Sequence, residues 1–147
     1  MKVREVMTAN VEMINPDARL PEAAKRMADA DIGLLPVGDD DRLVGMVTDR
    51  DIAVRAVAQG KNPARTRVCD VMTEKVLYCY DDEDVEHIAD SIAKLQVRRL
   101  PVVNRGKQLV GVISLADIAL KHDMEAAGIA LGGVCMPNGQ AAEEKLA

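Results

Sequence analysis

Leu43–Val57, LVGMVTDRDIAVRAV, is the stretch whose reading decides the fold. It reads as a strand over Leu43–Val47, a turn at Thr48 and a helix starting near Asp49. The same grammar returns in Leu109–Leu120, LVGVISLADIAL: apolar pair, Gly, apolar pair, hydroxyl residue, two variable positions, then Asp-Ile-Ala. Thr48 to Ser114 and Asp51 to Asp117 are each 66 residues apart. Two readings account for the unit. In one, the Ser or Thr caps a helix and the acid three residues on closes a capping box. In the other, a helix start that favours an anion stands beside a carboxylate able to accept from two adjacent ribose hydroxyls. The two are compatible, because capped backbone leaves side chains free to face a cleft.

Outward from that stretch the whole chain repeats. A shift of 65 aligns Val3-x-x-Val6-Met7-Thr8 with Val68-x-x-Val71-Met72-Thr73, Val11 with Val76, Asp17 with Asp82, Ala24 with Ala89 and Pro36-Val37 with Pro101-Val102. One extra residue in the turn 104–108 moves the offset to 66. The chain therefore divides into a first repeat (1–60), a linker (61–67, opened by Gly60 and holding Asn62 and Pro63), a second repeat (68–122) and a C-terminal stretch (123–147). Within the first copy, 3–7 reads as a helical turn and 11–14 as a short strand. A helix starts at Leu20 with Asp17 as N-cap and Pro21 in its first turn, and its apolar face is Leu20, Ala23, Ala24, Met27 and Ala30. A hairpin joins 34–37 to 43–47 through Gly38-Asp39-Asp40-Asp41, which reads as a polar turn before a metal site. The helix after Thr48 carries Ile52, Ala53 and Val57. The second copy offers Val85, Ile88, Ala89, Ile92 and Leu95 on a helix, a hairpin of 100–103 with 109–113, and Ile118, Ala119 and Leu120 on the last helix. Each copy is thus β-α-β-β-α, an α/β chain of the α+β type whose two small units pack together. Beyond Asp123, 124–131 continues as a helix, 132–147 reads as a loosely held tail, and the apolar patch 129–136 is free to dock.

Composition narrows the function. The 147 residues carry a net charge of −5 with the two signs interspersed, and contain no Trp, no Phe and only two Tyr. A nucleic-acid grip needs a concentrated basic face and stacking aromatics, so neither nucleic acid nor membrane is an expected partner. Cys69, Cys79 and Cys135 form no CxxC pair, and His87 and His122 stand at no ligand spacing from them, which argues for a reducing cytoplasm and against a metal. Met1–Asn10 is charged, unlike a secretory leader. No nucleophile-base pair points to an enzyme.

In order, spacing and duplication, the pattern VMT…LPV…LVGhhTxxDIA over residues 3–122 resembles a pair of CBS domains, the module named after cystathionine β-synthase. In plan the chain resembles small bacterial proteins made of one such pair, some once labelled as related to IMP dehydrogenase. The resemblance implies tandem repeats packed as a pseudo-two-fold pair, with clefts that take an adenosine ligand: AMP, ADP, ATP, NAD or S-adenosylmethionine. It implies a non-catalytic energy or metabolite sensor and a homodimer. No cofactor is required, the nucleotide or adenosyl compound being the effector, and an unknown protein partner reads the signal. Carried over residue by residue, one site takes Thr48, Arg50 and Asp51 with Val11, Gly33, Leu34, Leu35 and Pro36. The other takes Ser114 and Asp117 with Val76, Arg99, Leu100 and Pro101. The copies differ: Asp49-Arg50 stand where Leu115-Ala116 follow Ser114, so the first helix start alone offers a guanidinium, whereas Arg98-Arg99 replace Gly33-Leu34. The alternative is a ligand-free interaction module, every motif residue having a capping or packing role.

Overall fold

A computed structural model describes residues 1–137. Two compact units emerge, and they are not the two sequence repeats. One is Glu12–Val76; the other joins Met1–Val11 to the chain from Leu77 onward. Each unit therefore holds the body of one repeat and the opening Val-x-x-Val-Met-Thr of the other.

In the unit 12–76, α2 (Leu20–Ala30) opens with Pro21 in its first turn and stops at Asp31, whose φ of 54° ends the helical path. Its N-cap is Arg19 rather than Asp17, whose carboxylate instead meets Arg67 at 3.2 Å. Leu20, Ala23 and Met27 are buried, while Ala24 and Ala30 are exposed, so the buried stripe is narrower than the apolar sequence pattern. The hairpin pairs β2 (Leu34–Asp39) with β3 (Arg42–Thr48), shifting register at Val37/Gly38. Its turn is only Asp40-Asp41, both at positive φ, the twist a two-residue connection requires. No strand forms at 11–14. Ile14 makes a single parallel bridge to Val37, donating to the Pro36 carbonyl at 2.9 Å. After β3, α3 (Asp49–Ile52) runs into a π-helical turn over Ala53–Val57. That turn rotates the following face, so Ala56 is buried and Val57 is 62% exposed. The linker is built in: Leu20 N–H donates to the Thr66 carbonyl at 3.1 Å, and Thr66 is buried. Ile14, Leu20, Leu35, Val37, Val47, Val68 and Val71 form the core.

In the other unit, a four-stranded sheet runs β1 (Thr8–Ala9), β6 (Leu109–Ser114), β5 (Arg99–Val103), β4 (Cys79–Tyr80), with β4 parallel to β5 and the rest antiparallel. Helix α1 (Val3–Val6), α4 (Val85–Leu95) and α5 (Leu115–Lys121) cover it. Helix α6 (Met124–Val134), capped by the Asp123 side chain, runs further than the sequence pattern and packs on α4 and α5. The expected tail thus begins helically at 132–134, and its residues 138–147 lie outside the described ones. Gly133 is needed there: a Cβ would sit 2.7 Å from that of Ala93. Ala127 and Ala130 of α6 face inward, and Met124, Ile129, Leu131 and Met136 stay exposed, as does Leu120 on α5.

Candidate functional site

Both repeated motifs form the capping box. Thr48 Oγ1 accepts from Asp51 N–H at 3.0 Å while Asp51 Oδ2 accepts from Thr48 N–H at 3.0 Å. Ser114 and Asp117 repeat this at 3.1 and 3.0 Å. Such a cap is worth about 1 kcal/mol. It fixes each carboxylate at the strand–helix junction, with 14% of the Asp51 side chain and 15% of the Asp117 side chain exposed.

The second carboxylate oxygen distinguishes the copies. Asp51 Oδ1 lies 3.8 Å from Arg55 Nε and takes no hydrogen bond among the described residues. Asp117 Oδ1 lies 3.8 Å from Lys121 Nζ and also accepts from the Thr8 hydroxyl at 3.3 Å. Arg55 and Lys121 occupy the same position in the two copies, four residues after the Asp, where a helix brings side chains together. Each also reaches the helical turn that opens the other repeat. Arg55 donates to the Val71 and Met72 carbonyls, both at 3.3 Å, and Lys121 to the Val6 carbonyl at 3.2 Å.

The repeated glycine explains how that opening segment comes so close. A Cβ on Gly111 would lie 2.6 Å from the Thr8 carbonyl oxygen and 2.8 Å from Met7 Sδ. One on Gly45 would lie 2.7 Å from Met72 Sδ and 2.9 Å from the Thr73 carbonyl oxygen. Glycine in the strand lets the crossing Met-Thr lie flat against it, so Met46 and Thr73 exchange hydrogen bonds of 3.0 and 2.8 Å.

Gly33, Leu34, Leu35, Pro36, Thr48, Arg50 and Asp51 share one unit with Val76; Arg99, Leu100, Pro101, Ser114 and Asp117 share the other with Val11. Val11 and Val76 are thus exchanged relative to the sequence grouping, because each opening segment belongs to the opposite unit. Leu35 and Leu100 lie in the cores, on the strand face opposite Leu34 and Arg99, so packing occupies their side chains. Arg50, Arg98 and Arg99 are exposed. The roles of Thr8, Arg55, Lys121 and the two glycines escaped the sequence reading. Their signal was present in the doubled Val-Met-Thr and in a cation at the same place after each Asp.

The carboxylates can accept hydrogen bonds from a diol. Among the described residues no cluster of His, Cys, Asp or Glu is arranged for a metal, and no helix is long and apolar enough to cross a membrane. Every buried side-chain nitrogen or oxygen among them is hydrogen-bonded.

A family model for the CBS domain matches residues 3–57 and 68–121. An uncharacterized Bacillus subtilis protein, YlbB, is 38% identical over 136 residues, covering 90% of each chain. The crystal structure of Hypoxic Response Protein I with two coordinated zinc ions superposes with a TM-score of 0.72 at 36% identity, covering 81% of this chain and 97% of that one. The CBS domain pair of protein MJ0100, in complex with 5′-methylthioadenosine and S-adenosyl-L-methionine, gives a TM-score of 0.72 at 30% identity over 81% of this chain and 93% of that one.

Proposed function

The chain belongs to the CBS domain family, and we propose that it is a non-catalytic cytoplasmic regulatory module that reversibly binds an adenosine-containing ligand. The carrying observation is the Asp51 carboxylate. The cap fixes it by one oxygen, partial burial shields it, and its Oδ1 takes no hydrogen bond among the described residues. A vicinal diol supplies two donors to such a group. The ligands named for the MJ0100 pair, both adenosyl compounds with a ribose diol, support this chemistry.

A second reading is a protein-interaction module acting as a homodimer. Exposed Met124, Ile129 and Leu131 on α6 favour it. A thermal-shift screen with AMP, ADP, ATP, NAD, 5′-methylthioadenosine and S-adenosylmethionine separates the two. Ligand at 100 times its Kd adds about 2.7 kcal/mol, or roughly 5–10 °C in a chain of this size. A rise abolished by Asp51→Asn or Asp117→Asn supports the sensor. No rise with any compound, both variants losing only cap stability, refutes it.

A further inference from the structure

We infer that the Thr48–Asp51 site selects against phosphate, and that Asp49 is the residue that does so: its ligand is an uncharged or cationic adenosyl compound rather than a nucleotide. This rests on the reading of Asp51 as the group that holds a ribose diol.

A helix start attracts phosphate through free backbone N–H groups and the positive end of the dipole. At α3 both resources are already used. Asp49 N–H donates to the Gly33 carbonyl at 3.0 Å, and Asp51 N–H to Thr48 Oγ1. Arg50 N–H donates to the Asp49 carboxylate, Oδ1, at 2.8 Å. All three first-turn donors are therefore taken, and the middle one is held by a negative charge placed where a phosphate oxygen would accept. Gly33 makes room for that charge. A Cβ there would lie 2.8 Å from Asp49 Oδ2 and 3.2 Å from its carboxyl carbon.

The second copy shows that the arrangement is particular to the first. Leu115 replaces Asp49 and Arg98 replaces Gly33. Leu115 N–H donates to the Arg98 carbonyl at 3.1 Å, but Ala116 N–H takes no acceptor among the described residues. An acid beside a residue without a side chain in one copy thus stands where the other has a hydrophobe beside a base. Asp49 and Arg50 are both exposed, but only the Asp49 side chain is held at the helix start, by the Arg50 N–H. A phosphate added to a ribose held by Asp51 meets Asp49 as a like charge without a free backbone donor. A thioether or a sulfonium meets no such repulsion.

The test is isothermal titration with adenosine, 5′-methylthioadenosine and AMP. It uses the full chain carrying Asp117→Asn, which removes the other motif's carboxylate, alone and combined with Asp49→Asn, Asp49→Ala or Asp51→Asn. A like charge one side-chain length away is worth about tenfold in affinity. With Asp49 intact, AMP is expected to bind about tenfold or more weaker than adenosine. Asp49→Asn keeps the acceptor and removes the charge, so it narrows the gap. Asp49→Ala also frees Arg50 N–H and narrows it further, with adenosine affinity unchanged in both. Asp51→Asn abolishes all binding. AMP binding as tightly as adenosine through Asp51, or a gap that neither Asp49 variant narrows, overturns the inference and leaves the adenosine reading standing. Binding that only Asp117 supports overturns the assignment to this site. Silence from every compound, in the unsubstituted protein too, fails the adenosine reading and this inference with it. Circular dichroism of each variant identifies any that do not fold, and the Asn substitutions then carry the result.

Discussion

Replacing Gly111 by Ala tests the crossing of the opening segment most directly. The added methyl would lie 2.6 Å from the Thr8 carbonyl oxygen and 2.8 Å from Met7 Sδ. A sulfur at the end of a flexible side chain can swing away; a backbone oxygen inside the β1–β6 ladder moves only with its strand. The cost is overpacking, about 1–3 kcal/mol. If β1 lifts off, the loss of its hydrogen bonds adds roughly 1 kcal/mol each. The Thr8 contact to Asp117 would go with it. A total of about 2–4 kcal/mol is a large part of the stability of a domain this size, and lowers the Tm by roughly 5–15 °C. Gly45→Ala costs less, because its nearest neighbour is Met72 Sδ at 2.7 Å and the Thr73 carbonyl stands back at 2.9 Å. Gly128→Ala is the control: nothing lies within 4 Å of its Cβ, and in helix α6 it stabilises by about 0.5–1 kcal/mol. The assay is urea unfolding followed by far-ultraviolet circular dichroism, since the chain has no Trp. The expected order of stability is Gly128→Ala, unsubstituted protein, Gly45→Ala, Gly111→Ala. A Gly111→Ala midpoint equal to that of the unsubstituted protein would mean that the opening segment does not lie where the glycine makes room for it.

Other consequences follow from particular residues. Burial, reinforced by Glu83 and Asp81, pushes the Cys79 thiol up to about 12 from an ordinary value of 9. The folded state therefore holds that proton more tightly than the unfolded one. The stability this gives is complete below pH 9 and is lost as the pH climbs from about 9 to 12, which urea titrations across that range check. At pH 8, a thiol reagent should modify exposed Cys135 first and reach Cys79 only on unfolding. The two hydrogen bonds from the Arg105 guanidinium, 2.7 and 2.9 Å, hold the Asp82 carboxyl below its ordinary range. That contribution is present at neutral pH and disappears as acid protonates the carboxylate; Arg105→Met should return the Asp82 titration, read by NMR, toward the ordinary value. Light scattering behind size-exclusion chromatography should give a dimer at micromolar concentration, and Ile129→Asp on the exposed face of α6 should shift it to monomer if that face is the contact.

The elements were legible because their signals are local. The box Thr48-x-x-Asp51, the apolar run of β3 and the spacing Val85, Ile88, Ala89, Ile92 each depend on residues a few positions apart, and each appears where the pattern places it. The compact units were not legible. Periodicity says that Val3 and Val6 are apolar on one side, not which hydrophobic face they cover, and a repeat found by sliding the sequence does not show that its ends are exchanged. Val11 and Val76 accordingly lie in the units opposite the bodies of their own repeats. The role of Val57 failed on a smaller scale: one π-helical turn rotates the face, and sequence spacing carries no mark of it. Leu35 and Leu100, which the resemblance carried over as site residues, have their side chains in the two cores.

The capping and binding readings of the motif describe two edges of one group. In each copy one carboxylate oxygen belongs to the backbone and the other faces a cation that also holds the end of a crossing helical turn. Arg55 ties Asp51 to the Val71 and Met72 carbonyls; Lys121 ties Asp117 to that of Val6. A diol that engages Asp51 Oδ1 competes with Arg55 for the same oxygen, and the guanidinium then leans on the Val71–Met72 turn alone. Arg55→Met separates the two roles, because it frees the oxygen and removes the tie together. Affinity for adenosine should hold or rise while stability falls by up to about 1 kcal/mol, the scale of an exposed ion pair with its hydrogen bonds. If affinity and stability instead fall in proportion, Arg55 positions the carboxylate for the diol, and the cation is part of the site rather than a competitor for it.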